Sequence, residues 1–181
     1  MRENYQVTAV EDGKKYWISR SLAVCGIVVS KNPDDGKYYF LIEKRGPGAP
    51  DMNDLWCNPC GYLNYDETLR EACLREVYEE TGLDFRGQEG KILLWKIKDD
   101  PDDNVRQNVT VRYVIHTDHY ELTHRELTFA TEERGGEKEE VSGLKVISED
   151  EIENYEWAWN HGELLQDLVA ELREAEKEEK K

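Results

Sequence analysis

One segment of the chain carries both a start signal and a stop signal for a helix. Thr68 is followed three residues later by Glu71, which fits a capping box, where a hydroxyl and a carboxylate satisfy backbone N–H groups in the first turn. At the other end Gly82 follows Thr81 and fits the left-handed residue that closes a helix. The two signals predict a helix of about four turns, around which the other elements must be arranged.

One face of this predicted helix begins apolar and ends acidic. At about 100° per residue, the apolar side carries Leu69, Ala72 and Cys73, and the glutamates further along it are Glu76, Glu79 and Glu80. The carboxylates repel one another, and the helix dipole disfavours each of them by about 0.3 to 1 kcal/mol at this end. Two interpretations follow: a solvated acidic surface that tolerates the cost, or a site for a hard cation such as Mg2+, which prefers oxygen ligands.

Short apolar segments before and after the helix predict strands. Residues 5–10 and 16–19 flank the turn signal Asp12-Gly13 and predict an N-terminal hairpin. The other predicted strands are residues 22–29, 38–43, 91–98, 105–117 and 144–147. A polar loop is expected at 131–140, and a helical pattern from Ser148 carries Leu164, Leu165 and Leu168. The nearly wholly charged residues 171–181 are expected to fray.

The spacing around the acidic helix follows a known family pattern. Gly61, Glu67, the triplet Arg75-Glu76-Val77, the pair Glu79-Glu80 and the pair Gly82-Leu83 stand at every fixed position of the Nudix box. The chain therefore resembles the Nudix hydrolases. The resemblance implies an α/β fold, an α/β/α sandwich around a mixed central sheet, here with an N-terminal hairpin extension.

The same resemblance implies roles for residues of the box. Glu76, Glu79 and Glu80 would bind Mg2+, with Mn2+ as a substitute, and the Gly61 carbonyl would add a ligand. Arg75 would hold a glutamate in position. Within the box, Glu67 and Gly82 would be structural.

Two roles lie partly outside the helix. In this family the general base is either a helix glutamate or a glutamate of a later loop, so Glu79, Glu80 and Glu140 (or Glu139) are candidates. Arg45, at the end of a predicted strand, resembles a family position that contacts phosphate, and the alternative is an ordinary surface charge.

The implied activity is Mg2+-dependent cleavage of a phosphoanhydride bond in a nucleoside diphosphate linked to another moiety, such as a nucleoside triphosphate, a nucleotide sugar or a dinucleotide. The alternative from a different class is a non-catalytic Nudix domain that binds a nucleotide as a sensor. The box leaves the substrate open. The expected division is a hairpin extension at 1–20, a Nudix domain at 21–172 and a charged tail at 173–181.

Cysteines offer a competing signal. Trp56-Cys57-Asn58-Pro59-Cys60 resembles the redox motif of thioredoxins, in which a low-pKa thiolate opens a helix, but here Gly61-Tyr-Leu-Asn-Tyr-Asp intervenes before the helical pattern. In Nudix proteins Cys60 would replace the first glycine of a pair, and cysteine disfavours a positive φ. A zinc site is poorly supported by a single Cys-x-x-Cys. We expect all four cysteines to be reduced.

Composition restricts the partners. Asp and Glu outnumber Lys and Arg 40 to 24, so the formal charge of −16 argues against nucleic-acid binding. A small nucleotide-containing substrate remains compatible, because bound cations invert the local field. No apolar run reaches the roughly 18 residues that span a bilayer, and the first residues lack a secretory apolar region. We expect a cytoplasmic protein that does not bind membranes, with the hairpin as a candidate homodimer contact.

Overall fold

The structure is a computed structural model and describes residues 8–11, 13–17, 21–100, 108–124, 126–128 and 139–179. It begins with the predicted hairpin, formed by antiparallel strands β1 (Thr8–Glu11) and β2 (Lys14–Trp17). Gly13 in the turn has a φ of +76°, which glycine adopts without a steric penalty. The remaining residues of the predicted hairpin, 5–7, 12, 18 and 19, lie outside the described residues.

A second, larger sheet is mixed, as predicted. Its strands are β3 (Leu22–Lys31), β4 (Tyr38–Arg45), β5 (Trp56–Cys57), β6 (Cys60–Tyr62), β7 (Ile92–Lys98), β8 (Val109–His116) and β9 (Val141–Ser148). They run in the order β5-β4-β3-β8-β7, with β6 beside β3 and β9 beside β4. The central pair, β3 and β8, is parallel, while the other pairs are antiparallel. Strand predictions are confirmed for all of these segments except β5 and β6, which the sequence pattern did not indicate.

Strands β3 and β4 pair only at one end and then separate. Their register joins Val29 to Phe40 and Lys31 to Tyr38. Beyond this point β5 pairs with β4 and β6 pairs with β3, and the Gly26 N–H donates to the Pro59 carbonyl at 2.9 Å. Residues 56–62 therefore form a wedge between two central strands, beside the end of the box helix.

Helix α1 (Leu69–Thr81) covers one face of the sheet. Both halves of the predicted capping box are present between Thr68 and Glu71, and Gly82 closes the helix with a φ of +77°. Buried residues of α1, including Ala72, Cys73 and Val77, pack with Val24, Val28, Leu41 and Ile115. The approach is close: a Cβ added to Gly26 of β3 would lie 2.7 Å from Val77 Cγ2. The predicted helix and its bounds are confirmed.

The opposite face is covered by α3 (His161–Glu179), whose Leu165 and Leu168 pack with Ile27, Phe40 and Ile42. A short helix α2 (His119–His124) lies after β8. The layers are those of the predicted α/β/α sandwich. In the part of the chain given above, every helix is too short or too polar to cross a membrane.

The prediction that residues 171–181 fray is wrong as far as Glu179. Helix α3 continues through them, because Glu171 accepts from the Trp95 indole at 2.6 Å and Glu176 accepts from Lys31 at 2.6 Å. Arg173 pairs with Glu149. The helical pattern after Ser148 is also interrupted: a 3₁₀ turn at Glu149–Asn154 precedes α3.

Candidate active site

The three box glutamates lie at the C-terminal end of α1 and are withdrawn from solvent. Glu80 is 1% exposed, and its Oε2 accepts the Cys60 N–H at 2.9 Å. The side chains of Glu76 and Glu79 are 13% and 15% exposed. The interpretation as a solvated acidic surface is therefore wrong, since a solvated carboxylate would project into water.

Arg75 holds this end of α1 to the preceding loop. Its guanidinium donates to Glu67 from Nε at 2.9 Å and from Nη2 at 2.8 Å, and also to the Tyr62 carbonyl. From Nη1 it donates to Glu76 at 2.7 Å and to Glu79 at 2.9 Å. Glu67 in turn accepts the Asn64 N–H at 2.8 Å. Arg75 and Glu67 thus connect the loop at 62–67 to the metal-ligand candidates of the helix.

Gly61 lies against the carboxylate of Glu76. A Cβ added at this position would lie 2.2 Å from Glu76 Oε1, so any larger residue would displace the Glu76 carboxylate. The structure thereby brings the Gly61 backbone, named from the box, next to one of the three glutamates. Gly82, by contrast, acts at the helix end as a C-cap.

Glu43 joins this cluster from the sheet, and it was missed in the sequence. Glu43 is 1% exposed, its Oε1 accepts the Cys57 thiol at 3.2 Å, and its charge raises the pKa of Glu80. Glu43 Oε2 has no hydrogen-bond partner among the described residues. The signal available in the sequence was an acidic residue at the end of an otherwise apolar strand.

Burial shifts the protonation of these acids. It raises the pKa of Glu76 to about 8, although Arg75 opposes the shift, and it raises the pKa of Glu43 to about 7. Burial also raises the pKa of Glu80 well above its usual range, and the charges of Glu43 and Glu76 add to the effect. The cluster thus carries more carboxyl groups than its local positive charge can keep ionised.

The donor chemistry of the cluster fits a hard divalent cation, which takes carboxylate and carbonyl oxygens. Within the described ranges, however, no three acidic, histidine or cysteine side chains already converge as a metal site. Two of the candidate ligands, Glu76 and Glu79, are held by Arg75. A cation would have to compete with this guanidinium for their oxygens.

Arg45 is buried rather than exposed, so the surface-charge alternative is wrong. It is the last residue of β4 and is 5% exposed. Its guanidinium donates to the Asp51 carbonyl at 2.9 Å and to Asp51 Oδ1 at 3.2 Å, and lies 4.8 Å from the ring centroid of Trp159. Trp159 is 36% exposed. Arg45 and Glu43 are two residues apart on β4 and so point to the same face of the sheet.

The predicted loop glutamates flank the start of β9. The Gly46 N–H donates to the Glu140 carbonyl at 2.6 Å, and the Gly48 N–H to the Glu139 carbonyl at 2.9 Å. The Glu140 charge raises the pKa of Glu43, Glu76 and Glu80. Glu139 is exposed. The other loop glutamates lie outside the described residues.

The cysteine segment does not have the properties of a redox motif. All four thiols are free, and burial raises the pKa of Cys57 well above its usual range, whereas redox chemistry needs a thiolate. Cys57 ends β5 and Cys60 begins β6, so neither opens a helix. Cys60 is not among the residues with positive φ. It therefore replaces the family's glycine without backbone strain.

A buried polar pair connects the wedge to α3. His161 begins α3, is 6% exposed and accepts the Asn58 N–H at Nδ1 at 3.0 Å. Burial lowers the pKa of His161 to about 3, and the charges of Arg112 and Arg45 lower it further. His161 is thus a neutral acceptor that fixes the loop between Cys57 and Cys60.

A family model described as the NUDIX domain matches residues 20–168 of the chain. Among curated proteins, "Phosphatase NudJ" of Escherichia coli K12 is 41% identical over 54 residues, which is 30% of this chain. The matched part spans 32%, about a third, of the length of that relative.

Solved structures show the same fold at low identity. One is a bifunctional NMN adenylyltransferase/ADP ribose pyrophosphatase from Francisella tularensis, complexed with AMP and an Mn ion, with a TM-score of 0.66 and 23% identity, covering 84% of this chain and 42% of that one. Another is the NUDIX domain of Shewanella oneidensis NrtR complexed with ADP ribose, with a TM-score of 0.64 and 18% identity, covering 85% and 89%.

Proposed function

This chain belongs to the NUDIX family, and from that membership we propose that it is a Mg2+-dependent hydrolase of a phosphoanhydride bond in a nucleoside diphosphate linked to another moiety. The catalytic domain is proposed at residues 21–172, with the hairpin as an extension of it. The whole activity is proposed from the site and the family, since the curated relatives are matched over only a third of their length.

One observation carries the proposal: the cluster of buried carboxyl groups at the end of α1. Glu76, Glu79 and Glu80 share the end of α1, the charge of Glu43 acts on Glu80, and Arg75 holds Glu76 and Glu79. In a purely structural helix end, carboxylates that repel one another away from water would only lower stability. A divalent cation would compensate their charge and turn an unfavourable arrangement into a binding site.

In this proposal Glu76, Glu79 and Glu80 hold Mg2+ or Mn2+, and the Gly61 carbonyl adds a ligand. The bound cation would neutralise phosphate charge and lower the pKa of a water molecule. Arg45, the last residue of β4, binds a phosphate oxygen of the substrate. Its guanidinium is oriented for this role by two hydrogen bonds to Asp51.

The general base is proposed among Glu79, Glu80 and Glu140. A base must accept a proton from water, so it needs access to the substrate side of the cluster. Glu80 is almost fully buried and its Oε2 already accepts the Cys60 N–H, whereas Glu79 and Glu140 are partly exposed. We therefore rank Glu79 and Glu140 above Glu80 for this role.

The substrate is proposed to be a small nucleotide derivative rather than a nucleic acid. Support comes from the net charge of −16 and from the ligand of one structural neighbour, ADP ribose. Hydrolysis of a panel containing ADP-ribose, nucleoside triphosphates, dinucleoside polyphosphates, coenzyme A and capped RNA, with Mg2+ or Mn2+ and identified products, tests this choice.

The catalytic assignment is tested with Glu79→Gln and Glu80→Gln on the best substrate of that panel. Each change keeps the side-chain size and removes a charged ligand, so we expect at least a tenfold loss in kcat/KM. The matched control is Glu121→Gln. Glu121 lies on α2, is exposed and pairs with Lys91, so this variant should turn over substrate like the parent. Parental rates in both box variants would refute the site. Nucleotide affinity without turnover in the parent would identify the sensor alternative.

A further inference from the structure

We propose that Glu43, a residue of the sheet and not of the box helix, is an additional ligand of the cation at this site. The proposal rests on the cation-dependent function proposed above. It extends the metal-binding set across the gap between α1 and β4.

The first step is the position of the Glu43 carboxyl group. Glu43 is 1% exposed, and the charge of its carboxyl group acts on Glu80, which is equally buried. The charge of Glu140 also reaches it. Glu43 therefore lies inside the cluster of acids and not beside it.

The second step is the unmatched oxygen. Glu43 Oε1 accepts a hydrogen bond from the Cys57 thiol, whereas Oε2 has no hydrogen-bond partner among the described residues. A thiol is a weak donor and satisfies only one of the two oxygens. A buried carboxylate oxygen without a partner is costly, and a hard cation is a partner of the required chemistry.

The third step is the rigidity of the backbone at this position. In the register of the sheet Glu43 faces Cys57 of β5 on one side and Leu144 of β9 on the other. Its Cα is thus fixed by neighbouring strands on both sides. Since Glu43 Oε2 has no hydrogen-bond partner among the described residues, it does not have to leave a guanidinium before it binds a cation.

A purely structural explanation would make Glu43 a buried acid that orients Cys57. In that case only the hydrogen bond to the thiol would matter, and glutamine, whose carbonyl oxygen also accepts from a thiol, would serve equally well. A cation ligand differs, because the amide oxygen of glutamine carries no charge. Glu43→Gln therefore separates the two explanations.

The test measures Mn2+ binding in the absence of substrate. Binding is detected as a loss of the electron paramagnetic resonance signal of free Mn2+. We expect Glu43→Gln to weaken Mn2+ affinity at least fivefold and to reduce the rise in Tm that Mn2+ produces. Glu121→Gln has the same change in charge at an exposed site and should bind Mn2+ like the parent. Parental affinity and a parental Tm rise in Glu43→Gln would overturn the proposal.

Glu80→Gln distinguishes failure of this proposal from failure of the function. If Glu80→Gln weakens Mn2+ binding and Glu43→Gln does not, only the role of Glu43 is wrong. If the parent binds no Mn2+, the proposed function itself is wrong. Should Glu43→Gln fail to fold, a crystal of the parent with Mn2+ decides: an anomalous peak about 2 Å from a Glu43 oxygen supports the proposal, and a peak beyond about 4 Å overturns it.

Discussion

Replacing Arg75 with alanine removes the guanidinium that connects the loop at 62–67 to α1. In the parent, Arg75 binds Glu67 through two hydrogen bonds, and the side chains of the pair are 14% and 6% exposed. The substitution leaves the Glu67 carboxylate buried without its partner. Breaking a buried pair in this way costs about 3 to 5 kcal/mol in the free energy of unfolding.

The chain offers a matched control in Arg86, which also donates two hydrogen bonds to one carboxylate. Its partner is Asp84, but here the side chains are 55% and 43% exposed. Solvent screens such a pair, so Arg86→Ala should cost less than about 1 kcal/mol. Both variants remove a fork of hydrogen bonds to one carboxylate, buried in one case and exposed in the other. Arg75→Ala also removes the bonds to Glu76, Glu79 and the Tyr62 carbonyl, which adds to the expected difference.

The assay is urea denaturation followed by far-ultraviolet circular dichroism at pH 7.5, with a chelator present to remove divalent cations. Adding Glu67→Gln to Arg75→Ala removes the unpaired charge and should restore part of the lost stability. Losses for Arg75→Ala and Arg86→Ala that agree within about 1 kcal/mol would refute the reasoning, since burial would then have no effect.

Two further predictions concern packing and pH. Gly26→Ala places a Cβ 2.7 Å from Val77 and should lower the free energy of unfolding by about 1 to 3 kcal/mol. The control Gly90→Ala adds a Cβ that meets no atom within 4 Å and should leave the urea midpoint nearly unchanged. Equal urea midpoints for the two variants would contradict this prediction. The pKa of His161 is about 3 in the folded protein, whereas its ordinary value is 6.5. Between these two pH values the unfolded chain binds a proton at His161 and the folded chain does not. The free energy of unfolding therefore falls as the pH is lowered through this window. Relative to His161→Gln, the parent should lose about 2 kcal/mol between pH 7 and pH 5, and a pH-independent difference between the two denaturation curves would refute the assignment.

Much of the box helix was predictable because its signals are local. The capping box joins Thr68 to Glu71, and the C-cap bond joins Gly82 to Tyr78, so partners lie within four residues of one another. The hairpin and the central strands also followed from short patterns of apolar residues and turn signals, whereas the layered α/β/α arrangement was implied by the resemblance to the Nudix hydrolases.

Burial at the site was not predictable in the same way. Arg45 and Glu43 were charged residues at the end of a strand, and nothing nearby in sequence shows that both become buried. Their burial depends on β5, which pairs with β4 through Cys57 and Trp56 after a loop of ten residues. The wedge exists because β3 and β4 separate, and that separation is a property of the sheet as a whole.

The sequence by itself determined the box helix, the order of its glutamates and the family to which the chain belongs, because these depend on spacing along the chain. Only the tertiary structure decided that Glu43 meets Glu80 and that Lys31 holds Glu176 across a separation of 145 residues. Such contacts are set by strand register and by the packing of helices onto the sheet. Strand register and helix packing depend on interactions among many residues that are distant in sequence, so no local pattern predicts these contacts.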